Sequence, residues 1–240
     1  MIDPPEASPD PAHESSPDAV PQTVDVISSL TAGYHRFRDK HWHPQRARWL
    51  QLSAGQAPRV MIIACSDSRV DPAQIFDVDP GEIFVVRNVA AMVPPFEQTE
   101  GNHGVSAALE FAVQVLKVEE IVVLGHGMCG GCKAALTRQM HGAEPGKGGF
   151  IANWIALLDE ARDEVVARFG AEGREAERAM EHAGVRVSLA NLRTFPCIRK
   201  NERQDDTGKP RLRLRGAFFA ISDGVLHWLD ERSGQFEPAN

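Results

Sequence analysis

The 240-residue chain has no apolar run approaching the roughly 20 residues that a bilayer-spanning helix needs, so no membrane span is expected. It has no excess of basic charge: 26 Lys and Arg face 33 Asp and Glu, for a net charge of −7. That balance argues against a nucleic-acid surface, which takes a basic stripe to neutralise phosphates. Arg211, Arg213 and Arg215 do cluster, but Leu212 and Leu214 alternate with them, the pattern of a strand with one solvent face. Four cysteines (Cys65, Cys129, Cys132, Cys197) are too few for a disulfide scaffold in a chain this long. The first residues, Met1-Ile2-Asp3-Pro4-Pro5-Glu6, offer neither a basic nor an apolar signal region. A cytoplasmic protein with reduced thiols is the expectation. No internal repeat is visible.

What is present is 42% hydrophobic residues, enough for a substantial core. Residues 1–22 hold six of the 16 prolines and almost no large apolar side chains. They read as a disordered leader, since so little burial cannot offset ordering entropy. Residues 23–240 read as a single domain. Helical spacing of Val26, Ile27, Leu30, Tyr34 and Phe37 predicts an amphipathic helix over 24–39, with a short second helix over 45–52. Strands are expected at 60–64, 83–86 and 120–124, and a helix over 104–117. After a glycine pair the chain is expected to continue as helix over 133–140, followed by long helices over 151–169 and 174–194. A hairpin of 211–220 and 225–229 is expected to turn at Ser222-Asp223-Gly224. Alternating strands and helices imply an α/β fold, with a mostly parallel central β-sheet flanked by helices. The N-terminal helices form an arm, and further helices and the hairpin close the chain. Ligands of such sheets collect at the carboxyl ends of the strands.

Two motifs fall at those ends. Ala64-Cys65-Ser66-Asp67-Ser68-Arg69 follows Val60 to Ile63, and Gly125-His126-Gly127-Met128-Cys129-Gly130-Gly131 follows Ile121 to Leu124. Alone, a cysteine after a buried strand is a small core hydrophobe and a histidine a satisfied loop residue. Together, two thiols and one imidazole on strand-end loops suit Zn²⁺, and three protein ligands leave the fourth position that a catalytic zinc keeps for water. Asp67 and Arg69 alternate with Ser66 and Ser68, so both can point one way. A carboxylate there can orient the water, and an arginine beside it keeps the carboxylate ionised and stops it from swinging in as a fourth ligand.

These stretches resemble the β-class carbonic anhydrases. The matching segments are 64–70, Pro80-Gly81-Glu82-Ile83-Phe84-Val85-Val86-Arg87-Asn88, 107–113 and 121–131, with a looser match through the hairpin. The resemblance implies reversible hydration of CO₂ to bicarbonate and a proton, with one Zn²⁺ per chain on Cys65, His126 and Cys129 and with Asp67–Arg69 as the catalytic dyad. In the plant-like group a glutamine lies nine residues before the first ligand and an aromatic nineteen after it. Gln56 and Phe84 fit those positions, and Phe111 is the counterpart of the pocket's second aromatic, often a tyrosine. Where the bicarbonate-inhibited group has tryptophan, this chain has Ile62, so no bicarbonate switch is expected. The resemblance also implies a homodimer or larger oligomer in which Gln56 and Phe84 reach the zinc of the neighbouring chain. The other histidines offer proton shuttles, and spacing selects none.

Two other readings stay open. Cys129-Gly130-Gly131-Cys132 spells the C-x-x-C of a thiol oxidoreductase, which would leave Cys65, His126 and the dyad idle. A non-catalytic zinc module would close the site with Cys132 or Asp67 as fourth ligand.

Overall fold

The computed structural model describes residues 25–202 and 210–239. The leader expected at 1–22 lies outside them. The chain divides into two compact units, one ending at Ala54 and the other starting at Gly55.

In the first unit, α1 (Val26–Phe37) starts at Asp25, whose carboxylate accepts from the Ser28 backbone N–H at 3.0 Å. That bond satisfies one of the free donors of the first turn. A wider π-helical turn over Arg38–Trp42 leads to α2 (Arg46–Leu52), and the Trp49 ring meets Phe37 edge-on at 5.9 Å. The amphipathic spacing is as expected, yet α1 has no buried residue; Val26, Ile27 and Leu30 are each about two-thirds exposed.

The second unit is built on six strands in the order β2-β1-β3-β4-β5-β6. They are β1 (Val60–Cys65), β2 (Ile83–Asn88), β3 (Glu120–His126), β4 (Arg213–Ala220), β5 (Val225–Asp230) and β6 (Gln235–Pro238). The first four run parallel, and β5 and β6 are antiparallel additions. Alternation sends Met61, Ile63, Ile121 and Val123 into one core, with Leu109, Leu189 and Phe195. Ile62, Ala64, Val122 and Leu124 point to the other face, against Phe76 and Trp228. Being buried on both faces, β1 and β3 read in sequence as continuous apolar runs.

The helices of this unit are α3 (Pro72–Ile75), α4 (Gly104–Glu110), α5 (Gly130–Thr137), α6 (Gly149–Ile155), α7 (Asp159–Phe169), α8 (Arg174–Leu192) and α9 (Pro196–Glu202). Five differ from the sequence expectation, among them α9, where no helix was expected. The helix over 104–117 widens into a π-helix at Phe111–Leu116 and ends on Lys117 in the left-handed region. The glycine pair does not delay α5 but lies inside it, because a Cβ on Gly131 would meet Val89 Cγ1 at 2.7 Å. The helix over 151–169 is broken by a 3₁₀ turn at Ala156–Leu158. In such a turn positions three apart eclipse, so Ile155 and Leu158 can both face the core. Strand β6 and the four-residue α3 were too short for periodicity to reveal.

Arg211, Arg213 and Arg215 are exposed as expected, while Leu212 and Leu214 are buried. Arg213 and Arg215 both engage the Glu120 carboxylate at the start of β3.

Candidate metal centre

Cys65 ends β1 and His126 ends β3, and these strands are neighbours with Ala64 opposite Leu124. Their side chains therefore emerge side by side at the carboxyl edge of the sheet. The chain then turns through Gly127 and Met128 and brings Cys129 back as the residue before α5. All three are buried, at 6%, 2% and 3% exposure. Their ligating atoms lie within 4.8 Å of one another, and the two sulfurs are 4.0 Å apart. Two sulfurs each bound at 2.3 Å to a tetrahedral zinc stand about 3.8 Å apart.

Two observations test whether a cation fits. His126 Nδ1 donates to the Gly127 carbonyl at 2.9 Å, which assigns the proton to Nδ1 and leaves Nε2 with a lone pair. That Nε2 is buried and has no hydrogen-bond partner. The thiols are unsuited to one another as thiolates. Contact with Cys129 and then burial push Cys65 up to about 12. Cys129, crowded chiefly by the Cys132 thiol, is also pushed up to about 12. A divalent cation among the three donors inverts that preference and occupies the orphaned lone pair. The donor set fits zinc.

Asp67 is held at the edge of the cluster by Arg69. Arg69 grips it through two parallel bonds, Nε to Oδ1 at 2.9 Å and Nη2 to Oδ2 at 2.7 Å, and the Arg69 backbone N–H also donates to Oδ1 at 3.0 Å. This guanidinium holds the Asp67 carboxyl well below the usual carboxylate range. Asp67 Oδ2 remains 4.0 Å from His126 Nε2, near the cluster without joining it. Cys132, in the first turn of α5, is buried and likewise absent from the cluster.

Two supports were not read from the sequence. The Arg87 guanidinium donates to the carbonyls of Cys65 (2.9 Å) and Asp67 (2.7 Å) and to Asp71 Oδ2 (3.2 Å), fastening the loop that carries Cys65, Asp67 and Arg69. Glu181, on α8, is buried against the other loop, its Oε1 accepting from the Cys129 N–H at 3.3 Å. A charge inside the apolar stripe of a helix was the available signal for it.

The three pocket residues do not join the cluster within one chain. Phe84 and Phe111 face each other with ring centroids 5.9 Å apart. Phe84, however, pairs with Met61, four residues before Cys65, or about 13 Å along the strand. Gln56 lies exposed in the segment leading into β1. A site using these residues beside the cluster needs a second copy.

A family model described as carbonic anhydrase matches residues 60–226. Beta carbonic anhydrase 3 of Arabidopsis thaliana is 34% identical over 204 residues, covering 85% of this chain and 76% of that protein. Among solved structures, the β-carbonic anhydrase CcaA is 30% identical with a TM-score of 0.79, covering 89% of this chain and 92% of its own. One of two tetrameric β-carbonic anhydrases from Sordaria macrospora is 28% identical with a TM-score of 0.63, covering 85% of this chain and 93% of its own.

Proposed function

The chain belongs to the β-class carbonic anhydrases, and we propose that it carries out reversible hydration of CO₂ at zinc held by Cys65, His126 and Cys129, with Asp67 and Arg69 as the catalytic dyad. The observation that carries this reading is the two-pronged Arg69 grip on Asp67 beside an otherwise complete three-ligand cluster. Zinc held by these three residues would supply Lewis acidity, lowering the pKa of water towards about 7, less far where thiolates are the donors.

The chain's own groups do the rest. With both oxygens engaged by Arg69, Asp67 stays an acceptor and does not become a fourth ligand. An ionised acceptor beside the attacking water takes its hydrogen bond and aims its lone pair at the CO₂ carbon. His126 is locked as the Nδ1–H tautomer by Gly127. Phe84 and Phe111 offer a small apolar slot suited to CO₂, and the Gln56 amide can donate to the oxygen on which bicarbonate charge develops. On this reading a homodimer is the smallest complete unit, with Gln56 and Phe84 of one copy serving the zinc of the other. A larger assembly is compatible with it, as in the tetrameric relative. The thiol oxidoreductase reading gains nothing from the fold, since it leaves the orphaned imidazole and the dyad without a task.

No helix of the described residues is long and apolar enough to cross a membrane. The four free cysteines suit a reducing, cytoplasmic compartment.

Stopped-flow CO₂ hydration with a pH indicator, on protein whose zinc is quantified by elemental analysis, tests the proposal. About one zinc per chain with rapid, sulfonamide-sensitive hydration is expected. Full zinc without hydration between pH 7 and 9 would mean a closed site and overturn the reading.

A further inference from the structure

Among the described residues Glu181 is the only buried carboxylate, at 3% exposure, and the proposed reaction gives it nothing to do. It lies among buried neighbours Met180, Gly184, Val185 and Ser188 on α8, where an apolar side chain would pack at lower cost. Its partners explain its presence. Oε1 accepts from the Cys129 N–H at 3.3 Å. The other oxygen is 3.4 Å from Arg178 Nε, whose guanidinium lies over the Phe218 ring.

The Cys129 N–H belongs to the same planar peptide as the Met128 carbonyl, and in a trans peptide the two point opposite ways. That carbonyl accepts from Arg69 Nη2 at 3.0 Å. One peptide is therefore held from behind by Glu181 and presents its oxygen to Arg69 in front. Met128 has a φ of 58°, uncommon for a side chain of its size. Such a conformation persists only when its surroundings fix it, and rotating this peptide would turn a donor towards a guanidinium that needs an acceptor.

We propose that Glu181 is a positioning residue for the reaction: it fixes the Met128–Cys129 peptide, whose carbonyl fixes Arg69 and, through Arg69, the orientation of Asp67. This rests on the reading of Asp67 and Arg69 as the dyad. Glu181 acts as an acceptor with a set reach, so glutamine can replace it. Aspartate, one methylene shorter, cannot.

The test measures kcat, KM and zinc content for Glu181→Asp, Glu181→Gln, Arg69→Lys and the double variant Glu181→Asp/Arg69→Lys, with the rate of zinc loss to a chelator as a second readout. Glu181→Asp is expected to keep about one zinc per chain and its KM, to lose kcat about tenfold, and to release zinc faster by a similar factor. Glu181→Gln should stay within about twofold of the parent in both. Because Glu181 acts through Arg69, the double variant should fall no further in kcat than Arg69→Lys alone, whereas a merely structural defect would multiply. Unchanged kcat in Glu181→Asp, a multiplicative double variant, or a Glu181→Gln as impaired as Glu181→Asp would each overturn the proposal. An Arg69→Lys enzyme with full kcat would instead remove the dyad reading, and this inference with it. Should Glu181→Asp not fold, Glu181→Met, of similar volume and without an acceptor, replaces it with the same expectations.

Discussion

At the scale of single residues, a carboxylate two positions from a metal ligand can become a fourth ligand or stay an acceptor. Here the outcome is set by the forked grip of Arg69, a geometry that a point charge such as lysine would not reproduce. Asp67→Asn is therefore expected to retain zinc and lose about 10²-fold or more in kcat, because the amide no longer serves as an obligate acceptor. Zinc analysis alongside stopped-flow kinetics checks it, and undiminished hydration would remove Asp67 from the mechanism. With its pKa held far down by Arg69, Asp67 is ionised throughout the working range, so a rise of activity between pH 7 and 9 must report another group. The Cys65–His126–Cys129 cluster and the contact between Asp67 and Arg69 were legible because each motif is a local string whose spacing aims its side chains. Arg87 and Glu181 were not. Arg87 acts on residues 16 to 22 positions away and Glu181 on one 52 away, and each looks in isolation like an ordinary charge on a strand or helix.

At the scale of elements, the close approach of α8 to the sheet depends on two glycines on adjacent strands. A Cβ on Gly125 would lie 2.6 Å from Val185 Cγ2, and one on Gly216 would lie 2.9 Å from Val185 Cγ1. Val185 thus fills a hollow that only glycine leaves open. Gly125→Ala is expected to destabilise the protein by about 1–3 kcal/mol in denaturant unfolding, with partial recovery on adding Val185→Ala. A Gly125→Ala protein with unchanged stability would mean that α8 moves freely on the sheet. The same helix carries His182, its ring stacked on Phe236 at 4.1 Å. Burial first, and then the charges of Arg186, Arg178 and His227, push its pKa down to about 3. The unfolded chain titrates near 6.5, so between those values it binds more protons than the folded one, and stability falls as pH falls. The slope from this one group cannot exceed about 1.4 kcal/mol per pH unit. His182→Phe should flatten the fall of melting temperature between pH 7 and 5, and an unaltered slope would clear His182 of responsibility. Strands β1 and β3 were legible to within a residue or two because burial on both faces leaves an unmistakable apolar run, whereas the half-buried edge strand β2 was legible from its β-branched and aromatic residues after the Pro80-Gly81 turn. The 3₁₀ break before α7 was not, since the sequence there keeps a helical period and only the packing of Ile155 and Leu158 selects the tighter turn.

At the scale of the whole molecule, a single chain holds the Cys65–His126–Cys129 cluster and the Asp67–Arg69 pair but places its own Phe84 about 13 Å down the strand from Cys65. Strand β2 is an outer strand of the sheet, and near it in sequence or structure Val85, Val89, Phe111 and Val115 are between 38% and 60% exposed. An apolar sheet edge is an invitation to pairing, and a two-fold symmetric contact there would let each copy serve the other's zinc. This has a consequence that a monomer cannot imitate. An Asp67→Asn chain and a Gln56→Ala chain should each be nearly inactive alone. In a mixed dimer one site inherits both defects, whereas the other combines intact Asp67 with intact Gln56. Unfolding and refolding the two together in equal amounts gives half mixed dimers, each with one sound site, so activity should return to about a quarter of the parent's. Recovery near that level, with light scattering showing dimers or larger species, would place Gln56 across the contact. If the mixture stays as inactive as its components while dimers form normally, Gln56 serves its own chain's zinc or none, and the shared site is wrong.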